Sequence, residues 1–129
     1  MTNCATLEAL NETIPPHLTP FEQRNFRPNI VISGVPSLKE EEFAFVRFSK
    51  KIVCENVRLC TRCAIPTIDP DKGVKEAERA TLLTQFRSPK TYLEGLRYGK
   101  SSLFGINLGP SSSGEIKVGS SIDVTFKED

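Results

Sequence analysis

Cys60-Thr61-Arg62-Cys63 sets a guanidinium between two thiols. A cation beside a thiol favours its thiolate by Coulomb attraction. Thiolates are soft donors and suit soft or high-valent metal centres. Shortly after comes Asp69-Pro70-Asp71-Lys72-Gly73, a turn by composition, because Pro presets one backbone angle and Gly tolerates positive φ. A second polar cluster lies upstream, Arg24-Asn25-Phe26-Arg27-Pro28-Asn29, and a third downstream, Leu103-Phe104-Gly105-Ile106-Asn107. Arg27 and Arg62 are fork donors able to bind phosphate bidentately. Asn29 and Asn107 carry amides that could read the edge of a heterocycle. A thiolate, two anion-binding forks and two amides together suggest a metal–pterin site.

Other chemistries fit parts of this pattern. Cys60-x-x-Cys63 has the spacing of half a structural zinc site, with Cys54 and His17 as the nearest third ligands and no second pair. The same spacing suits a redox pair, but that motif should open a helix, and Pro66 with Asp69-Pro70 opposes one. On spacing alone, two half-buried structural thiols account for the pair best. Arg27 could equally form a surface ion pair, and either Asn a turn or strand-end cap. No side chain stands out as a general acid or base. His17, in a Pro-rich loop, reads as structural.

Several elements are expected around these clusters. Leu7, Leu10 and Ile14 have helical spacing within residues 5–14, and Pro15-Pro16 stops that helix. Asn29–Gly34 reads as a short buried strand, and Lys39–Glu42 as a solvated face. Phe43–Phe48 suits a strand covered on both sides, with a helix as the alternative, and Ile52–Leu59 a strand leading into a cysteine loop. Helices are expected over Glu78–Arg87 and Pro89–Tyr98, the latter pairing Tyr92 with Leu96. Pro110–Gly114 is a flexible loop without the spacing of a phosphate-binding loop. Ile116 and Val118, then Ile122, Val124 and Phe126, alternate with polar residues, giving a hairpin or one bent strand. Strands dominate, so a mixed fold with a mainly β core is expected.

The chain's 129 residues suffice for one domain. A formal net charge of +1 argues against long-range attraction to nucleic acid or anionic membranes. No apolar run approaches the roughly 20 residues that span a bilayer. The first twenty residues contain Glu8 and Glu12 but no Lys or Arg, which fits neither a secretory signal nor an Arg-rich transit peptide. Four cysteines are too few for a small disulfide scaffold, so a reducing intracellular compartment is expected, cytoplasmic or mitochondrial.

Taken in order, Arg-Asn-Phe-Arg-Pro-Asn-Ile-Val-Ile-Ser-Gly, Cys-Thr-Arg-Cys with Thr-Ile-Asp-Pro-Asp-x-Gly, Leu-Phe-Gly-x-Asn and Gly-x-Ile-x-Val-Gly resemble the C-terminal half of a MOSC domain, the molybdenum cofactor sulfurase C-terminal domain. The similarity is to the branch containing the amidoxime-reducing components and covers roughly residues 24–126. Residues 1–23 would form an N-terminal helix and Pro-rich loop, and 24–129 the C-terminal portion of the domain. The implied architecture is mixed α+β, a β-barrel-like core with peripheral helices that lacks its N-terminal strands.

The resemblance implies a molybdenum–molybdopterin cofactor, with Cys63 as metal ligand and catalytic residue. Thr61 and Arg62 would contact the cofactor, as would Arg27, Asn29 and Asn107. Some relatives carry Tyr at the place of Asn107, and Pro66 stands where Thr is frequent. Cys60 would be structural. The implied activity is reduction of small N-hydroxylated substrates such as amidoximes, with electrons from haem and flavin proteins. The family also implies a non-catalytic alternative, a cofactor or sulfur carrier using Cys63; pyridoxal phosphate binding is implied at family level only.

Overall fold

The structure is a computed structural model that describes residues 1–128. It contains a four-stranded antiparallel sheet in the order β5-β4-β3-β6: β3 is Phe43–Arg47, β4 Val53–Arg62, β5 Ser102–Pro110 and β6 Asp123–Phe126. A tight connection joins β3 to β4, closed by the Phe48 N–H donating to the Ile52 carbonyl at 2.9 Å. Two helices, α3 (Ala77–Phe86) and α4 (Tyr92–Tyr98), lie between β4 and β5 in sequence. Two shorter strands, β1 (Thr2–Asn3) and β2 (Val31–Ile32), pair in parallel. Between them run α1 (Cys4–Glu12) and the single turn α2 (Gln23–Phe26).

The two sheets are joined at one point. The Met1 ammonium donates to the Ile106 carbonyl at 2.8 Å, and the Ile106 N–H donates to the Met1 carbonyl at 3.0 Å. β1 thus lies beside β5, while the sheets stay two, β1-β2 and β5-β4-β3-β6. Gly105 makes this junction possible. Its φ is +83°, and a Cβ there would lie 2.6 Å from the Met1 carbonyl oxygen.

Two apolar cores flank the sheets. One gathers Ile32, Phe43, Val46, Leu59, Tyr98, Leu103 and Ile106. The other gathers Leu10 of α1, Phe21, Phe26 of α2, Leu83 of α3 and Phe104 of β5. Consecutive residues Leu103 and Phe104 thus enter different cores. That placement follows from the alternation of side chains along a strand. The mixed class, with helices around a strand-rich centre, is as expected.

Four local expectations change. Glu40 is not on a solvated face: it is fully buried, accepting from Thr6 Oγ1 at 2.8 Å and Asn3 Nδ2 at 3.0 Å. Its neighbour Glu41 faces Arg87 at 2.9 Å, so this acidic run ties elements together through charge-assisted bonds. Phe45 is 46% exposed, so β3 is covered on one face only. Residues 115–122 form no strand, and Val118 is fully exposed, because no neighbouring strand offers them hydrogen bonds. The expected strand over Asn29–Gly34 shrinks to β2, preceded by Arg27 in the left-handed region (φ 50°) and by Pro28, which has no N–H.

Candidate functional site

Arg62 ends β4, and its guanidinium binds the other two sequence clusters. Nε and Nη2 donate to the Phe104 carbonyl at 2.9 and 2.7 Å, and Nη1 donates to the Phe26 carbonyl at 2.8 Å. The Phe26 and Phe104 rings stack at 3.9 Å between centroids, and Arg62 lies 5.3 Å from the Phe26 ring. Burial pushes the Arg62 pKa down, with the Cys60 and Cys63 thiols opposing that shift. A guanidinium keeps its proton regardless. The sequence suggested an anion-binding fork; the structure uses three of its N–H groups on backbone.

The turn after the cysteines is fastened to α2. Arg24 donates from Nη2 and Nη1 to the two Asp71 oxygens at 2.7 and 3.1 Å, and also reaches Glu22. Hydrogen bonds from Arg24 hold the Asp71 carboxyl below the usual carboxylate range. Asp69 Oδ1 accepts from the Asp71 and Lys72 N–H groups at 2.8 and 3.1 Å, which lowers its pKa too. Gly73 closes the turn at φ +68°. Asn25 is buried and folds back on the Glu22 N–H at 2.7 Å, completing a reciprocal cap on α2. The motif residues thus divide into fasteners (Arg24, Asn25, Arg62, Asp69, Asp71) and residues left outward.

The outward set contains most of the expected site. Cys63 is exposed just past the end of β4, its Sγ accepting from the Ile65 N–H at 3.5 Å. Thr61 is exposed on β4 opposite Leu103. Arg27 is exposed next to Phe26, whose carbonyl Arg62 holds. Asn29 is exposed on the wall of a groove formed with residues 116–122. Asn107 is exposed on β5 opposite Arg58. Arg62 brings the three clusters together in the fold; no direct hydrogen bond joins Cys63 to Arg27, Asn29 or Asn107 among the described residues. Cys60 is half-buried and Cys54 buried, and all four cysteines are free thiols. His17 lies at the surface, 3.1 Å from Glu78.

Sequence reasoning missed two supports of this site. Gly105 sits where a Cβ would also meet Arg62 Nη2 at 3.3 Å. The glycine inside an otherwise apolar run was the available signal. Arg79 is 1% exposed and lies 4.2 Å from the Phe21 ring, with Glu76 at 3.8 Å. Its helical position resembled a surface charge, so nothing in the sequence marked it.

The donor set limits what the site could hold. Among the described residues, no group of three or more His, Cys, Asp or Glu side chains could hold a metal ion. A zinc half-site at Cys60-x-x-Cys63 therefore has no second half here. One exposed thiol suits a metal whose remaining ligands come with an organic cofactor.

The chain belongs to the MOSC domain family, whose model matches residues 1–123. Among characterised proteins it is 34% identical over 119 residues to mitochondrial amidoxime-reducing component 1 of Mus musculus, covering 92% of this chain and 34% of that protein. It is 37% identical over 99 residues to the Homo sapiens component 1, covering 76% of this chain and 29% of that protein. A shorter match, 35% over 54 residues, relates it to component 2 of Homo sapiens, covering 42% and 16%. The chain thus spans about a third of the length of the component 1 relatives.

Proposed function

We propose that this chain binds a molybdenum–molybdopterin cofactor, with Cys63 as the protein ligand to the metal, and contributes to reduction of N-hydroxylated substrates such as amidoximes. The supporting observation is that Arg62 fastens three distant motifs together while Cys63, Thr61, Arg27, Asn29 and Asn107 remain exposed. The relatives' name, amidoxime-reducing component, supplies the substrate class. The bound group supplies two-electron oxygen-atom transfer. The chain's own part is to hold and orient it. The Cys63 thiolate would donate electron density to the metal, Arg27 would offset the cofactor's negative charge, and the amides of Asn29 and Asn107 would orient its heterocycle. Arg62 would act as a positioning residue, fixing the Phe26 and Phe104 backbone next to the strand end that carries Cys63. Haem and flavin proteins would deliver electrons.

The test is metal analysis of the protein purified from a host that makes the cofactor. Near-stoichiometric molybdenum, lost in Cys63→Ala and kept in Cys60→Ala, is the expected result. Equal losses in the two variants, or retention in Cys63→Ala, would overturn the assignment. A well-folded, molybdenum-free protein with a reactive Cys63 would favour a sulfur-carrier role instead.

A further inference from the structure

Helix α4 is amphipathic in the reverse sense. Tyr98 faces inward, its hydroxyl accepting from the Leu59 N–H at 3.1 Å, and Glu94 reaches Arg87 at 2.9 Å. Its hydrogen-bonding side therefore lies toward the protein. Tyr92, Leu93 and Leu96, at positions i, i+1 and i+4, share the opposite side and are 80%, 74% and 68% exposed. A helix on a globular surface turns such residues to the core. Three adjoining apolar side chains held in water call for an apolar cover.

The charges around the helix say what kind. Lys90 precedes it, Lys100 follows it, and all of Lys90, Arg97 and Lys100 are exposed. A cleft of about 540 Å³ opens beside Leu93, with Lys90, Arg97 and Lys127 on its walls. The carboxylates of that cleft are already matched. Glu41 and Glu94 both bind Arg87, and Glu42 binds Lys39. Among the described residues, Lys90, Arg97 and Lys100 have no carboxylate within ion-pair distance. The exposed side of α4 is thus apolar at its centre and cationic at its margins. Lysine is depleted from protein–protein interfaces. At a bilayer the same residue is favoured, because its long stem lies along apolar surface while the ammonium reaches back to the headgroups. The net charge of +1 removes long-range attraction, but a local cluster acts within a Debye length of the surface.

We propose that α4 docks this chain on an anionic lipid surface. Tyr92, Leu93 and Leu96 enter the boundary between headgroups and acyl chains. Lys90, Arg97 and Lys127 offer the cleft beside them to the phosphate or carboxylate of a lipid headgroup. The docking is peripheral, since no helix among the described residues is long and apolar enough to cross a membrane.

The test is sedimentation of the chain with vesicles of equal parts phosphatidylserine and phosphatidylcholine, and with vesicles of phosphatidylcholine alone. The expected result is binding to the first that falls at high salt and is weaker on the second by on the order of tenfold. Leu93→Ser with Leu96→Ser should lower binding to the anionic vesicles by on the order of tenfold or more. Lys90→Gln with Lys100→Gln should weaken it and flatten its salt dependence. No sedimentation of the unsubstituted chain, or unchanged binding in the Leu93→Ser, Leu96→Ser variant, would overturn the proposal. So would self-association without lipid that the same double substitution abolishes, because the cover would then be a second copy of the chain. Should a variant fail to fold, amide exchange on the unsubstituted chain decides: slowing at 92–98 in the presence of anionic vesicles supports the docking, and unchanged exchange refutes it. None of these readouts depends on molybdenum, so the result stands apart from the cofactor assignment.

Discussion

Arg62 holds carbonyls on two segments far apart in sequence, Phe26 and Phe104. Lys has a single ammonium and cannot reproduce that fork. Arg62→Lys should therefore destabilise the fold by about 2 kcal/mol, the scale of one or two charge-assisted hydrogen bonds, read as a lowered urea midpoint. An unchanged midpoint would show that the fork adds little. The residue types of the site were legible because thiol, guanidinium and amide chemistry is fixed by the side chain alone. Their division of labour was not. Arg27 and Arg62 look alike as letters, yet one is exposed and the other is spent on backbone. Glu40 is the plainest case: within Lys39–Glu42 it reads as solvent-facing, and only Thr6 of α1 and Asn3 of β1 make its burial tolerable.

At the scale of elements, Gly105 lets β1 meet β5. Gly105→Ala places a Cβ against the Met1 carbonyl in a backbone region that side chains rarely adopt. A loss of about 1–3 kcal/mol is expected, with faster amide exchange at Ile106 as the signature that distinguishes a parted junction from general weakening. Helix α4 depends on a different device. Arg87 bridges Glu41 and Glu94, each at 2.9 Å. Its two carboxylates respond in opposite directions. Hydrogen bonding to Arg87 pulls Glu94 down to about 2, whereas desolvation raises the more buried Glu41 despite the same arginine. Glu94 therefore contributes stability that is fully present above the ordinary carboxyl value near 4.5 and is lost as pH falls through about 2. Glu41 acts with the opposite sign, its raised value favouring the folded state once it is protonated. Glu94→Gln should flatten the decline of the urea midpoint between about pH 5 and pH 2. A decline as steep as the unsubstituted protein's would place the acid sensitivity elsewhere. Helices α1, α3 and α4 were legible from apolar spacing and from Pro15-Pro16. Strand β5 was not, because its Leu103–Ile106 stretch is buried on both faces and carries a glycine, so no alternation marks it.

For the whole molecule, the mixed class and the family were legible because motif order survives where pairwise geometry cannot be read. The unpaired stretch over residues 115–122 was visible only indirectly. Ile116 and Val118 carry a strand's alternation without a strand's partners, so local preference and global packing disagree there. A second exposed apolar face, Tyr92, Leu93 and Leu96 on α4, stands apart from that stretch. The expected Tyr92–Leu96 contact would lie wholly at the surface. Leu93→Lys with Leu96→Lys should leave the melting temperature nearly unchanged and reduce aggregation on heating, as light scattering would show.

The Met1–Ile106 pairing also dictates when this molecule can be finished. The two residues are 105 positions apart, so β1 can pair with β2 early but cannot join β5 until that distant strand is in place. Through most of synthesis α1 would wait beside an unbuilt wall, its Leu10 lacking Leu83 and Phe104. Closing so long a loop is entropically costly, and folds dominated by such remote pairings assemble slowly. Joining β1 to β5 is therefore a late step in forming this fold.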